Sequence, residues 1–566
     1  AARLVRRRLL RRMVNAVYGR IVASALTLGV ALVAAAGLPG VVPDASPDVA
    51  KADRAAEDPF RTSDRCLACH KGVTTSRGLD VSIGYDWRGS MMANSARDPY
   101  WQAAVRREVM DHPEAAALIE DKCSRCHMPM ASVVARSAGR TGSVFENLPV
   151  GGSDGPEAAL AADGVSCSVC HELADAGLGS EESFTGGFEV GEVARPEDQL
   201  VYGPFEPDSG SVHIMRSATG LRPGEGLHVQ TSELCATCHT LFTHSVRAGG
   251  EGPEFPEQVP YLEWRASSYA GEGTTCQDCH MPTVEEEVPV TAVLGRARPD
   301  VSRHVFRGGN FFMLRLLNRY RTELGVTALP QELALAADRT EAHLREATVA
   351  IAVGNVALRE GRLTAEVEVR NLAGHKFPTA YPSRRAWLHV RVTGAAGELV
   401  FESGAFAADG RIVGNDNDED AERFETHYPE ISRPDQVQVY EAVMATADGE
   451  VTTGLMSADR WLKENRLLPV GFDPIRASDR IRVRGAAATD PDFVAGSDVV
   501  RYSVDTAAAA GPYTIDVELW FQPIAYRWAE NLSGYESFET QRFVRYFREM
   551  AGASAIRLAE ASLSVP

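Results

Sequence analysis

Cys66-Leu-Ala-Cys69-His70, Cys123-Ser-Arg-Cys126-His127, Cys167-Ser-Val-Cys170-His171, Cys235-Ala-Thr-Cys238-His239 and Cys276-Gln-Asp-Cys279-His280 decide how this chain is read. Two thiols three residues apart can add to the two vinyl groups of one haem, and the adjacent His reaches the iron as its proximal ligand. Zinc sites use Cys-x-x-Cys pairs but do not require a His after each. Disulfides between residues three apart are strained and leave the His without a purpose. All ten cysteines of the chain fall in these pairs, which chance does not explain. The pattern predicts five covalently bound haem c groups on Cys66, Cys69, Cys123, Cys126, Cys167, Cys170, Cys235, Cys238, Cys276 and Cys279. His70, His127, His171, His239 and His280 are then the proximal iron ligands.

The motifs lie about 40–70 residues apart between residues 66 and 280. So little protein per haem cannot wrap each group separately, so the haems are expected to build the core and to lie close together as an electron wire. Around them the sequence is poor in strand patterns. A helix from Asp98 to Glu120 is expected, with Asp98 as N-cap and Pro99 in its first turn. Segments 136–158 and 173–200 read as loops, and Gly309–Leu324 and Pro330–Ala347 as a helical pair. From about residue 348 cysteine disappears and alternating runs begin. In Leu363–Arg370, Leu363, Ala365, Val367 and Val369 fall on one face and Glu366, Glu368 and Arg370 on the other, as in a half-buried strand. Further runs at 349–353, 387–392, 398–402, 437–444, 499–504 and 513–521 predict a β-sandwich, and Ser537–Ala559 reads as a C-terminal helix. The expected fold is α+β and multidomain: residues 59–347 a mostly irregular and helical multihaem domain with a helical end, residues 348–566 a β-sandwich-like domain.

Residues 1–43 read as an export signal or an N-terminal membrane anchor, because an Arg-rich start leads into the apolar run Ile21–Leu38. Either reading puts the remainder outside the cytoplasm, in the periplasm or at the cell surface. Residues 44–58 read as a linker. The net charge is −19, and it becomes −26 without the seven arginines that precede Asp44. Such acidity argues against nucleic acid and suits redox protein partners. A membrane-anchored complex, a homo-oligomer and an extracellular cytochrome filament are the assemblies this organisation suggests.

Each iron has a second axial position, and nine His lie outside the motifs. His304 stands beside glycines that allow close approach, His375 on a constrained Gly-His-Lys-Phe-Pro turn, and His228 and His112 shortly before the fourth and second motifs. With His213 these are the distal candidates, and Met92 is the alternative ligand. His244 is expected to meet a propionate, His343 and His389 to be structural, and His427 is left unassigned. Asn415-Asp-Asn-Asp-Glu-Asp420 reads either as a Ca²⁺ site or as a solvated acidic loop, and its spacing is not that of an EF-hand.

Trp87-Arg-Gly-Ser-Met-Met92, Cys-His-Met-Pro at 126–129 and 279–282, Ser232-Glu-Leu-Cys-Ala-Thr-Cys-His-Thr240 and His304-Val-Phe-Arg-Gly-Gly-Asn310 resemble the multihaem group that includes hydroxylamine oxidoreductase, its tetrahaem partner cytochrome and the pentahaem nitrite reductases. Gly374–Trp387, Gly414–Asp418, Gln436–Glu441 and Lys463–Pro469 resemble the β-domain of uncharacterised multihaem cytochromes. The resemblance implies distal His drawn from remote loops. It departs from the nitrite reductases in one respect: those carry a Lys-ligated catalytic haem, whereas all five motifs here end in His. Electron transfer is therefore expected ahead of catalysis. The alternative is an oxidoreductase acting on a small nitrogen or sulfur compound at one open haem.

Overall fold

The computed structural model describes residues 60–191, 199–247, 250–507 and 509–566. The leader, 1–43, and the linker, 44–58, lie outside them. Asp98 accepts hydrogen bonds from the amides of Tyr100 and Trp101 and opens α1 (Pro99–Asp111). The single helix expected from Asp98 to Glu120 is broken at His112-Pro113. Proline lacks the amide needed to continue, and the chain restarts as α2 (Ala116–His127). A β-hairpin that the sequence reading missed follows the fourth motif, β1 (Leu241–Arg247) with β2 (Gly250–Gln258). Next come α3 (Phe311–Arg319) and α4 (Pro330–Ala347).

The second half is a sandwich of two larger sheets together with a third, three-stranded one (Ala442–Ala445 with Val451–Thr452 and Arg460–Glu464). In one, β3 (Val349–Arg359) pairs with β4 (Arg362–Asn371), and β4 with the later β7 (Ser497–Asp505). In the other, β5 (Arg385–Thr393) lies between β6 (Leu399–Ser403) and β8 (Tyr513–Gln522). The inward residues of β4 are Leu363, Ala365, Val367 and Val369, all buried, as the alternation required. After α5 (Phe538–Met550) the expected helix does not run on to residue 559. The chain turns back as β9 (Ile556–Val565), antiparallel to β8.

One apolar core spans both halves. Phe311 of α3 meets Phe521 of β8 at 6.3 Å, Phe312 meets Phe547 of α5 at 5.9 Å, and Tyr100 of α1 meets Phe543 at 5.0 Å. Arg106 of α1 holds Glu539 of α5 through two bonds of 3.0 Å. The stretch Glu57–Pro566 is accordingly one compact unit, and its core crosses residue 348. Phe311→Ala should cost about 3–5 kcal/mol. Unfolding followed by far-ultraviolet circular dichroism and by haem absorbance should move together in this variant, because the two halves share the lost contact. Transitions that separate would show that the halves unfold independently.

Candidate haem-binding cavity

Each motif sits on or at the end of a helical turn. Motif 2 closes α2, motif 3 lies in the helix Cys167–Glu172, and motif 5 forms the helix Cys276–His280, opened by a capping box between Thr275 and Asp278. In motifs 1 and 4 the His amide donates to the carbonyl of the first Cys, at 3.0 and 2.9 Å. Residues i, i+3 and i+4 of a helical turn share one side, so both thiols and the imidazole of a motif face the same way.

That direction is a continuous cavity of about 910 Å³, lined by all ten cysteines and all five motif His. The cysteines form no disulfide. Thiols of different motifs meet across the cavity: Cys66 with Cys167, Cys126 with Cys238, and Cys235 with Cys276. Cys170 lies near Cys238, and burial pushes its thiol up to about 12. Motif 1 therefore neighbours motif 3, and motif 4 neighbours motifs 2, 3 and 5.

The imidazoles are set for metal binding. A carbonyl oxygen can only accept, so each ring nitrogen facing one carries the proton. His70 Nδ1 donates to Val290 at 2.8 Å, His127 Nδ1 to Ser95 at 3.2 Å, His171 Nδ1 to Tyr202 at 2.6 Å and His280 Nδ1 to Arg307 at 2.5 Å. His304 and His375 donate likewise to Ser302 and Lys376, at 3.1 and 2.8 Å. Each Nε2 keeps its lone pair, the arrangement that orients a metal-binding imidazole. Burial lowers His127 and His280 to about 4 and His304 to about 3, so the rings are neutral near pH 7.

Two rings bonded on opposite sides of one metal, each through a bond of about 2 Å, have centroids about 6 Å apart. His171 and His304 lie 6.2 Å apart with ring planes 19° from parallel, and His280 and His375 lie 6.3 Å apart at 14°. These distances are too long for ring stacking and fit an iron between the rings.

The charges lining the cavity also fit haem. Arg65, Lys122, Arg298, Arg307 and Arg384 reach it, and none is within ion-pair distance of a carboxylate among the described residues. The carboxyls there are pushed toward neutrality by burial, Asp98 to about 6, Glu172 to about 7 and Glu257 to about 8. Four of these cations are partly buried and Arg65 is exposed, so they are placed to meet anionic groups such as haem propionates.

Of the distal candidates, His304 and His375 line the cavity, as does Met92. His112, His213 and His228 are not among the lining residues. His112 Nε2 meets Ser457 Oγ at 3.2 Å, His228 Nε2 donates to Leu173 O at 3.0 Å, and His213 is exposed on the helix Ser209–Thr219. His244 lines the cavity, and so does His343. The sequence carried a signal for His343: Thr340, Leu344 and Ala347 line the cavity with it, a helical i, i+3, i+4, i+7 stripe. His389 lies on the sandwich between Glu402 and Glu518, 3.0 Å from each.

Two clusters outside the cavity resolve into ordinary structure. In the acidic loop, Asp418 accepts both Arg385 guanidinium nitrogens at 2.7 and 2.8 Å, Asp416 pairs with Arg423, and Arg527 takes the Asn417 and Asp418 carbonyls. His427 stands with Asp490 and Asp498 in a group of metal-ligating type. Its Nδ1 accepts from the amides of Gln438 and Asn465, at 2.8 and 3.1 Å. Both amides are fixed by their oxygens, which accept from the Tyr428 and Glu441 backbones. The proton therefore sits on Nε2 and is donated to Asp490 at 3.1 Å, leaving no lone pair for a metal.

The loop that carries His375 is held by buried charge. Glu263 accepts from the Lys376 amide at 3.2 Å and the Thr379 hydroxyl at 2.5 Å, and pairs with Arg466 at 2.9 Å. Lys376 is fully buried 3.4 Å from Glu464, which also pairs with Arg466. Removing one partner of such a cluster costs about 3–5 kcal/mol. Glu263→Ala should lose stability of that order in guanidinium unfolding of the haem-loaded protein, and a loss below about 1 kcal/mol would show that the cluster does not fix this loop.

No family model and no curated protein matches the chain. Among solved structures, a penta-haem cytochrome c552 from Thermochromatium tepidum is similar at 14% identity, with 90% of this chain and 99% of that chain covered and a TM-score of 0.48.

Proposed function

We propose that the chain is a pentahaem c-type cytochrome that transfers electrons outside the cytoplasm. The observation that carries this reading is the single cavity into which all five Cys-x-x-Cys-His turns face. The ten thiols would hold the groups covalently and the five motif imidazoles would ligate the irons. His304 and His375 would complete two of them. Each haem supplies a one-electron couple when bound. The protein's share is to orient the imidazoles through the Nδ1–carbonyl bonds, to neutralise propionates with the cavity cations, and to keep the axial positions dry. The adjacency of motif 1 to motif 3, and of motif 4 to motifs 2, 3 and 5, supports a branched conducting series. The Arg-rich, apolar leader supports export, and no helix among the described residues is long and apolar enough to cross a membrane. Partner redox proteins would exchange electrons at the ends of the series.

Intact mass and pyridine haemochrome should give five haems per chain, and Cys167→Ala with Cys170→Ala should give four. Film voltammetry should show all five reducing and reoxidising reversibly. Bound zinc, free thiols or redox-silent haems would overturn the reading.

One observation favours a second reading, an oxidoreductase on a small nitrogen or sulfur compound at motif 4. Among the described residues the His239 ring donates to no carbonyl and has no imidazole facing it at the spacing of the other pairs. Burial lowers its proton affinity, and the neighbouring Arg384 lowers it further. A ferric high-spin signal removed by cyanide would support an open iron there, and five low-spin irons in both oxidation states would exclude it.

A further inference from the structure

His280 faces two imidazoles. His375 lies 6.3 Å away with its ring 14° from parallel, and His343 lies 6.1 Å away at 66°. Both distances match two rings sharing one metal, yet an iron carrying a porphyrin and His280 has one position left. The two rings arrive from different parts of the fold. His375 comes on the loop between β4 and β5, anchored through Glu263. His343 comes on the last turn of α4. All three rings are partly buried and line the same cavity.

The two are not held alike. His375 Nδ1 donates to the Lys376 carbonyl at 2.8 Å, which fixes the tautomer and presents Nε2. Among the described residues the His343 ring makes no hydrogen bond, so it is free to turn about its side-chain torsions. We infer that His343 and His375 are alternative sixth ligands for the iron held by motif 5, with His375 bound in the resting protein and His343 in reserve. This rests on the haem reading above. The exchange would replace one iron–nitrogen bond, to His375 Nε2, by another, to His343 Nε2, with no proton or electron transferred.

The position gives the exchange a consequence. Motif 5 touches motif 4 through Cys276 and Cys235, and its second thiol, Cys279, is exposed, so this haem stands where the series meets solvent. A shift of α4 against the sandwich loop would decide which ring binds, and ligand identity and orientation set the properties of a haem. Motif 5 is thereby a terminal electron site whose ligation follows the packing between the two halves of the chain.

The test uses the haem-loaded protein and electron paramagnetic resonance of His343→Ala, His375→Ala and the double variant. Haemochrome is run in parallel, so that failure of the haem reading, which shows as haem content, is separate from failure of this one. Near-parallel imidazoles give a rhombic low-spin signal, and strongly crossed ones a signal with a large maximal g value. The wild type and His343→Ala should both show the rhombic signal. His375→Ala should gain no high-spin iron over the wild type but exchange one rhombic signal for a large-g one, and the double variant should show one high-spin iron per chain more than the wild type. A high-spin iron gained over the wild type in either single variant, or none gained in the double variant, would overturn the inference. Should His375→Ala lose haem, His375→Gln repeats the measurement with the bulk of the side chain kept.

Discussion

A Cys-x-x-Cys-His turn sets two thiols and one imidazole on the same side of a single helical turn, and the first half of the chain turns five of them into one cavity. Their common direction leaves that half with an interior lined by thiols and imidazoles rather than filled by apolar side chains. Its own apolar cluster, with Trp101, Val105, Ile119, Met128 and Val169, packs among and behind the motif-bearing helices. Trp101 lies flat on His127 at 4.3 Å, holding the motif 2 imidazole from the side. The larger core belongs to the sandwich, and α1, α3 and α4 reach into it. The first half therefore shares its largest apolar core with the sandwich.

The same division governs charge. The chain is strongly acidic, and many of its outer arginines pair with carboxylates, as Arg545 does with Glu323 and Arg557 with Glu518. Inside the cavity the relation inverts: cations stand unpaired and carboxyls are held near neutrality by burial. A bare interior of this kind would be unstable, since desolvated charge must be compensated. Haem propionates would compensate it, and on that reading loading and folding of this half are expected to be one event.

Local signals were legible in the sequence and distant ones were not. The motifs, the cap at Asp98, the span of α4 and the alternation of β4 all depend on residues within a few positions of each other, and each lies where the sequence put it or within a residue or two. The hairpin β1–β2 was hidden because β2 carries Pro253 and Pro256, which argue against a strand unless its edge is free. The strand β9 was hidden because Ala559, Glu560 and Ala561 favour helix, and only pairing with β8 overrides that preference. Axial partners were the hardest. His304 and His375 stood in unusual turns and drew notice, whereas His343 lies in a regular helix and needed the placement of motif 5 to become visible. His112 and His228 had sequence proximity to a motif in their favour, yet neither they nor His213 line the cavity, whose lining depends on how five remote turns converge.

The sandwich contributes more than a cap. The loop carrying His375, Tyr381 and Arg384 leaves β4 in one sheet and enters β5 in the other, so its course is set by how the two sheets pack. Asn371 at the end of β4 donates to the carbonyls of His375 and Leu467, at 2.8 and 2.9 Å, and Phe377 pairs with Leu467 through both backbone bonds. A Cβ at Gly374 would stand 3.3 Å from Tyr269 Cγ and 3.5 Å from Trp264 Cδ1, so a side chain there would press on both rings. These contacts place an imidazole and a guanidinium, nine residues apart in sequence, in the lining of the same cavity. A β-framework on both sides thus sets the course of a loop that lines the cavity, which is a physical reason for the chain to carry a sandwich beside its five motif turns.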